Sequence, residues 1–198
     1  MMLSALAEPR RQVAEIDYLL LWSVLILLFG GLVMVYSASI AIAEGGRFTN
    51  HQPTYYLFRH TIFLCIGMVA AALAFQVRLS FWQNYSAYFF LAGVLLLSLV
   101  LIPGLGRDVN GARRWLPLGF VNLQPSELMK LFAVLYAADY TVRKINVMHD
   151  LRQAFAPMFV AMAVVGGLLL KEPDFGAFVV IISIAMGILF LGGLRARM

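Results

Sequence analysis

Long runs of apolar residues without any Asp, Glu, Lys or Arg dominate this chain. Such runs extend over residues 18–43, 60–77, 79–106, 153–170 and 175–194. A helix needs about 20 apolar residues to cross the hydrocarbon core of a bilayer, so each run is long enough to span it. Helix is the expected conformation because a backbone in lipid must satisfy its own hydrogen bonds. The third run is too long for one straight span, and Pro103-Gly104 predicts its end.

A sixth segment, residues 125–142, is also helical in composition but contains Glu127, Lys130 and Asp139. Pro125 suits a first helical turn, where the missing N–H costs nothing. Charged groups inside a span are expected to face the interior of the helix bundle. The pattern therefore predicts an all-α polytopic integral membrane protein, a single membrane domain over residues 1–198. Its six transmembrane helices are predicted at 18–43, 60–77, 80–103, 125–142, 153–170 and 175–194, with an external substrate-side loop at 104–124.

Composition supports the membrane class. Hydrophobic residues make up 62% and charged residues 13% of the 198 residues, whereas soluble domains have about 45–50% and about 25%. The net charge of +5 requires no nucleic-acid partner, because anionic membrane lipids also attract basic loops. One cysteine excludes an intrachain disulfide, and three scattered histidines indicate no metal site.

The basic residues favour a cytoplasmic N-terminus, although only by a small margin. That orientation places three basic clusters inside, Arg10-Arg11, Arg143-Lys144 and Arg195 with Arg197. It leaves the loop at 104–124 outside. The first apolar run is longer than the apolar core of a signal peptide, so we interpret it as a transmembrane helix that is not cleaved off.

The loop at 104–124 concentrates polar residues that suit an anionic ligand. Arg113-Arg114-Trp115 follows Asn110-Gly111, a dipeptide typical of tight turns. The planar guanidinium group suits bidentate contacts with phosphate, so a diphosphate is the natural ligand. The alternative is an ordinary anchor at the lipid headgroups.

Glu127 and Lys130 are spaced to lie on one helix face. They form either a structural ion pair or part of a substrate path, in which Lys130 contacts phosphate and Glu127 orients it or binds a sugar hydroxyl. Gln124, Ser126 and Asp174 are assigned a supporting role, and Asp174 is also a predicted N-cap of the sixth helix. Asp139 and Arg143 are expected to pair at a helix end, without chemistry.

Several motifs in register resemble the SEDS family (shape, elongation, division and sporulation), in particular the N-terminal portion of its division-type members. They are Val109–Trp115, Asn122–Glu127 with Lys130, and Glu172–Gly176, together with Tyr36–Ser39 and Tyr56–Arg59.

The resemblance implies the first six helices of a ten-helix bundle in a bacterial inner membrane, at the division septum. It implies a peptidoglycan glycosyltransferase that polymerises lipid II, with this chain binding the lipid diphosphate. The implied partners are lipid II, polyprenyl-diphosphate-linked glycan, a class B penicillin-binding transpeptidase, other membrane proteins of the division machinery and membrane lipids. It assigns Glu127 and Lys130 as needed for activity, and Arg113, Arg114 and Trp115 to the loop beside the substrate groove.

One departure from the family pattern limits this assignment. The presumed catalytic Asp of the family follows the seventh span, whereas this sequence has six predicted spans, so we assign no catalytic residue here. No cofactor is evident, and a role for a divalent cation stays open. Two alternatives to the polymerase also remain, a lipid II flippase and a membrane scaffold that docks a transpeptidase.

Overall fold

The computed structural model describes residues 17–46, 49–109, 111–119, 122–147 and 151–193. Some residues used in the sequence analysis lie outside the described residues. They are the arginines of two basic clusters predicted to be cytoplasmic, Arg10, Arg11, Arg195 and Arg197, and the turn residue Asn110. Six helices are present: α1 Tyr18–Gly45, α2 Tyr55–Gln76, α3 Leu79–Val100, α4 Pro125–Arg143, α5 Leu151–Lys171 and α6 Phe175–Leu191. Three short strands precede α4: β1 Arg107–Val109, β2 Ala112–Pro117 and β3 Asn122–Leu123.

Three helix ends lie at least three residues from the predicted span bounds. Helix α2 begins at Tyr55 rather than at residue 60, and α6 ends at Leu191 rather than at residue 194. Arg59 lies within α2, where its guanidinium is 5.7 Å from the centroid of the Phe63 ring, a contact that accommodates the charge within the helix. Helix α3 ends at Val100, three residues before Pro103, in agreement with the restriction that proline places on the residue before it.

Four helices have the length and apolar composition of membrane spans: α1, α2, α3 and, from Arg152 onward, α5. Helix α6 is apolar but shorter, at 17 residues. Helix α4 has charged groups at both ends, Glu127 in its first turn and Arg143 in its last. The chain is thus a multi-pass membrane protein, while the six-span topology and the single-domain boundary remain predictions.

The helices fall into two compact units, residues 1–76 and 77–198. In the first, α1 packs against α2. Asp17 begins α1 by accepting hydrogen bonds from the N–H groups of Leu19 and Leu20, at 3.0 and 3.1 Å. Such a cap satisfies N–H groups that have no partner within a helix. Most side chains of α1 and α2 are exposed within the chain, as expected of helices that face lipid or further helices.

In the second unit, α3, α4, α5 and α6 enclose one apolar core. Its members recur at intervals of three or four residues, which places them on one face of each helix. The alanines of α4 and α6 allow close approach of the two backbones. The buried core residues are Phe90, Leu97, Met129, Ala133, Ala137, Tyr140, Ala154, Met158, Met162, Val165, Leu169, Ala177, Ile181, Ala185 and Leu189.

The loop predicted at 104–124 contains a small antiparallel sheet that the sequence analysis did not predict. Strand β2 lies between β1 and β3. Gly111 connects β1 to β2 with a φ of 76°, a left-handed conformation that glycine adopts without steric cost. The sheet therefore gives a fixed geometry to the polar residues of the loop.

Candidate functional site

A bulge in β2 separates the two adjacent arginines. Arg107 pairs with Trp115, whereas Asp108 pairs with Arg113, so Arg114 is the extra residue of β2. A bulge disrupts the ladder locally and redirects side chains. Arg113 and Arg114 therefore contact different parts of the fold, and their assignment to an anionic ligand stays a prediction.

Arg113 extends toward the end of α3. Its Nη1 donates to the carbonyl oxygen of Leu101 at 3.4 Å. Its aliphatic stem passes beside Gly106, where an added Cβ would lie 2.7 Å from the Arg113 Cγ and 2.0 Å from the Val100 carbonyl oxygen. Glycine is thus the residue that allows Arg113 to lie there.

Arg114 extends toward the turn between α5 and α6. Its Nε donates to the carbonyl oxygen of Glu172 at 3.3 Å, and its Nη2 donates to that of Pro173 at 2.5 Å. Two bonds from one guanidinium fix the orientation of both partners. Arg114 therefore fastens β2 to the α5–α6 turn.

Asp174 joins that turn to the start of α4. Its Oδ2 accepts hydrogen bonds from the Ser126 hydroxyl at 2.8 Å and from Gln124 Nε2 at 3.1 Å. Its Oδ1 accepts from the Ala177 N–H at 3.2 Å, which confirms the predicted N-cap of α6. The structure thus brings together the three residues that were assigned a supporting role.

Glu172 and Asp174 lie two residues apart in this turn and have opposite charge preferences. The pKa of Glu172 is raised to about 8, because burial and the charge of Asp174 together outweigh the opposing effect of Arg114. For Asp174, burial also favours the neutral form, but the hydrogen bonds from Ser126, Ala177 and Gln124 outweigh it and lower its pKa. Asp174 is therefore an anion at neutral pH, and Glu172 is mainly an uncharged acid.

Glu127 and Lys130 form the ion pair that their spacing predicted. Lys130 Nζ lies 2.8 Å from the Glu127 carboxylate. The expectation that both face the interior was wrong within the described helices, since the Glu127 side chain is 59% exposed and that of Lys130 31% exposed. Buried Ser126 and Met129 occupy the interior face of this turn of α4, and Glu127, one residue after Ser126, is rotated about 100° from it. The pair is accessible to a ligand.

Trp115 borders a separate cleft of about 350 Å³ on the sheet, together with Arg107, Val109 and Asn122. The cleft combines an indole, a guanidinium and an amide. Side chains of these kinds form stacking contacts and hydrogen bonds with polar ligands. Neither Arg107 nor Asn122 was assigned to the site from the sequence.

Asp139 lies toward the other end of α4, in the predicted pair with Arg143, whose Nε is 2.9 Å from its carboxylate. The Ser86 hydroxyl of α3 also donates to Asp139, at 2.8 Å. Within the described part of the chain, no group of three or more His, Cys, Asp or Glu residues could hold a metal ion. The structure therefore provides no direct evidence for the divalent cation left open by the sequence.

Comparison with known proteins places this geometry in a family. The sequence model of the FtsW/RodA/SpoVE family, described as "Cell cycle protein", matches residues 18–198. The chain belongs to the FtsW/RodA/SpoVE family. The SEDS resemblance is thereby confirmed, because FtsW and RodA proteins are members of the SEDS family.

Similar family members carry the name probable peptidoglycan glycosyltransferase FtsW. The protein from Aromatoleum aromaticum is 59% identical over 192 residues, which cover 97% of this chain and 47% of that protein. The protein from Burkholderia thailandensis is 48% identical over 193 residues, covering 97% of this chain and 42% of that protein. The chain thus spans about half the length of the curated family members it matches.

Solved structures of the family share the fold. The rod shape determining protein RodA of Thermus thermophilus matches with a TM-score of 0.65 and 30% identity, over 84% of this chain and 54% of RodA. A structure of a peptidoglycan synthase complex that coordinates polymerization and crosslinking matches with a TM-score of 0.63 and 29% identity, over 84% of this chain and 48% of that one. The helical membrane architecture is therefore that of the family.

Glu172 is the main residue of this site that the sequence analysis missed. It was quoted in the Glu172–Gly176 motif of the family, but no role was given to it. A carboxyl beside a turn proline is ordinarily read as exposed. The signal that could have identified it is its position two residues before Asp174, because two nearby carboxyls cannot both ionise cheaply.

Proposed function

We propose that this chain provides the lipid-diphosphate-binding part of a peptidoglycan glycosyltransferase that polymerises lipid II. The observation that carries the proposal is the match over 97% of the chain to a family member of that name. The geometry agrees with it, because accessible cationic groups lie beside a fixed polar turn.

Lys130 is the residue that we assign to the diphosphate. It is partly exposed, and its partner Glu127 is exposed as well, so an incoming phosphate can compete for the ammonium group. An exposed ion pair of this spacing contributes only about 0.2–0.5 kcal/mol, and exchanging one anion for another therefore costs little. Glu127, released from Lys130, is free to accept a hydrogen bond from a sugar hydroxyl.

Arg113 and Trp115, both on β2, provide two further contacts for the lipid-linked substrate. Arg113 makes one long bond, 3.4 Å, to a backbone carbonyl, so its guanidinium retains donors for phosphate oxygens. Trp115 in its cleft supplies a flat apolar surface for a sugar ring or an isoprenoid chain. Arg114 supports the site by holding β2 in place.

The reaction is a single displacement. The oxygen of an acceptor sugar hydroxyl forms a bond to the anomeric carbon of the lipid-linked donor, and the bond from that carbon to the diphosphate breaks. Lys130 and Arg113 offset the charge that develops on the departing polyprenyl diphosphate. The hydroxyl proton passes to a carboxylate base, a role that we assign to no residue of this chain. One displacement inverts the anomeric carbon.

Membership of the family also supports a proposal for the cellular setting. We place the protein in the bacterial inner membrane at the division septum, with a cytoplasmic N-terminus, so that the sheet and the α5–α6 turn face the outside. Its proposed partners are a class B penicillin-binding transpeptidase and other membrane proteins of the division machinery. We propose no residue of this chain as a ligand for a divalent cation, whose assistance the sequence leaves open.

The test uses polyprenyl diphosphate and the chain reconstituted in lipid nanodiscs. K130A should bind the lipid roughly tenfold more weakly, since about 1.4 kcal/mol corresponds to a factor of ten and a hydrogen bond to a charged group contributes about that much. K144A is the matched control, because Lys144 follows the opposite end of the same helix. Its binding should stay within about twofold of the unmodified chain.

Polymer formation is tested in a chimera in which this chain replaces the matching part of the Aromatoleum aromaticum protein, assayed with lipid II and a transpeptidase. K130A should abolish most of the glycan polymer. Normal polymerisation by K130A would refute its role. Lipid translocation without polymer formation would favour the flippase function over the polymerase function. If binding of the transpeptidase were the only measurable activity, the scaffold function would be favoured.

A further inference from the structure

The carboxyl group of Glu172 is a buried polar group of this site that the proposed reaction does not use. Its side chain is completely buried, with 0% of the residue exposed. Neither Oε1 nor Oε2 has a hydrogen-bond partner among the described residues. Buried polar atoms are almost always paired, so a fully buried carboxyl without a partner calls for an explanation.

An ionised carboxylate in this position would be expensive. A buried charge without a partner costs so much free energy that the group takes up a proton instead. The raised pKa of Glu172, about 8, agrees with that physical expectation. Asp174 nearby is ionised and held by three hydrogen bonds, so its negative charge further disfavours a second anion in the turn.

The Arg114 guanidinium lies beside this acid but is bonded elsewhere. It donates to the backbone carbonyls of Glu172 and Pro173. An ionised carboxylate would be the stronger acceptor, since hydrogen bonds between two charged groups are about twice as strong as neutral ones. The observed contacts of Arg114 are therefore those expected beside an uncharged Glu172.

We propose that Glu172 is a positioning residue that works as an uncharged carboxylic acid and thereby keeps Arg114 on the carbonyls of the α5–α6 turn. While Glu172 is protonated, Arg114 fastens β2 to the turn, and Arg113 and Trp115 are held beside α4. When Glu172 loses its proton, its carboxylate draws the guanidinium away from those carbonyls. The turn then no longer holds β2.

The charges around Glu172 fix the direction of the pH dependence. Asp174 in the same turn disfavours ionisation, and Arg114 from β2 favours it. Lys171, the preceding residue at the end of α5, is exposed, and on α4 Lys130 is paired with Glu127. Because the pKa is raised above its ordinary value of 4.5, the fastened state prevails at neutral pH and is lost as the pH rises through about 8.

The first test compares the unmodified chain with E172Q in nanodiscs. Between about pH 5 and pH 8 the folded state holds about one proton more than the unfolded state, so thermal stability should fall as the pH rises. E172Q cannot ionise, and its stability should lack that slope. Its difference infrared spectrum should also lack the carbonyl band of a protonated acid. E44Q is the control, because it makes the same change at an exposed position and should keep both the slope and the band.

The second measurement follows strand β2 directly. Hydrogen exchange of the amides at 112–116, corrected for the intrinsic effect of pH, should accelerate at least severalfold above about pH 8 in the unmodified chain and stay constant in E172Q. Unchanged exchange in the unmodified chain would overturn the proposal. So would a stability loss in E172Q as large as in E172A at every pH, since glutamine mimics the neutral acid.

The functional consequence rests on the proposed lipid-diphosphate site. Binding of polyprenyl diphosphate should weaken as the pH rises through about 8 in the unmodified chain but not in E172Q. If the chain binds no such lipid at any pH while the stability and exchange results hold, the proposed function fails and the role of Glu172 stands. If binding occurs and has the same pH dependence in both chains, the role of Glu172 fails alone.

Discussion

Replacing Asp174 by alanine should destabilise residues 77–193 more than any other single change at the polar turn. The side chain accepts three hydrogen bonds, from Ser126, Gln124 and the Ala177 N–H, at 2.8, 3.1 and 3.2 Å. It therefore ties the start of α4 to the start of α6. Ser126 is fully buried, so its hydroxyl would lose its charged acceptor without gaining water.

The magnitude follows from these contacts. Loss of an N-cap costs about 1 kcal/mol, and a hydrogen bond to a charged group contributes about 1.5–3 kcal/mol. The terms are not additive, because Gln124 also donates to the Ser126 oxygen at 3.0 Å and can keep that bond. Relief of the repulsion on Glu172 offsets part of the loss. We expect D174A to cost about 2–4 kcal/mol of unfolding free energy.

The assay is reversible unfolding of the chain in mixed detergent micelles, followed by circular dichroism. D174N keeps an acceptor for the Ala177 N–H but removes the charge, so it should lose about half as much as D174A. D108N is the control, since Asp108 is an exposed carboxylate on β1, and it should change the free energy by less than about 0.5 kcal/mol. Unfolding of D174A at the same denaturant concentration as the unmodified chain would refute the reasoning.

Two further predictions concern packing and the opposite end of α4. G106A should cost about 1–3 kcal/mol and displace Arg113, because its Cβ would meet the Val100 carbonyl oxygen at 2.0 Å. G67A has nothing within 4 Å of its Cβ and lies inside α2, where alanine is the better helix former, so it should cause no loss in the same unfolding assay. S86A should cost about 1–2 kcal/mol, since it removes the 2.8 Å bond to buried Asp139 while the ion pair to Arg143 remains. S98A is the control for S86A, because the Ser98 hydroxyl donates to a carbonyl of its own helix. Equal losses of unfolding free energy in S86A and S98A would contradict the importance of the Asp139 contact.

Features that depend on neighbours in sequence were predictable. The helix starts at Pro125 and at Phe175 follow from Pro125 at the first turn and from the Asp174 cap. The Glu127–Lys130 pair follows from a spacing of three on one helix face. The predicted start of α2 was too late because the charge-free run was counted only from the residue after Arg59. In the structure Arg59 is part of the helix, and its guanidinium packs on Phe63.

Features that depend on distant contacts were not predictable. The arginines at 113 and 114 are adjacent in sequence, and only the bulge in β2 sends them to different partners. Arg114 meets a carbonyl that lies 58 residues away, and nothing near either residue encodes that meeting. Burial of Glu172 likewise depends on what packs over the turn. A carboxyl that reads as an exposed loop residue thus becomes an uncharged acid through tertiary structure alone. In the proposed role of Glu172, Arg114 bonds either to the backbone carbonyls of the turn or to the ionised carboxylate. That difference determines whether strand β2, which bears Arg113 and Trp115, stays in place.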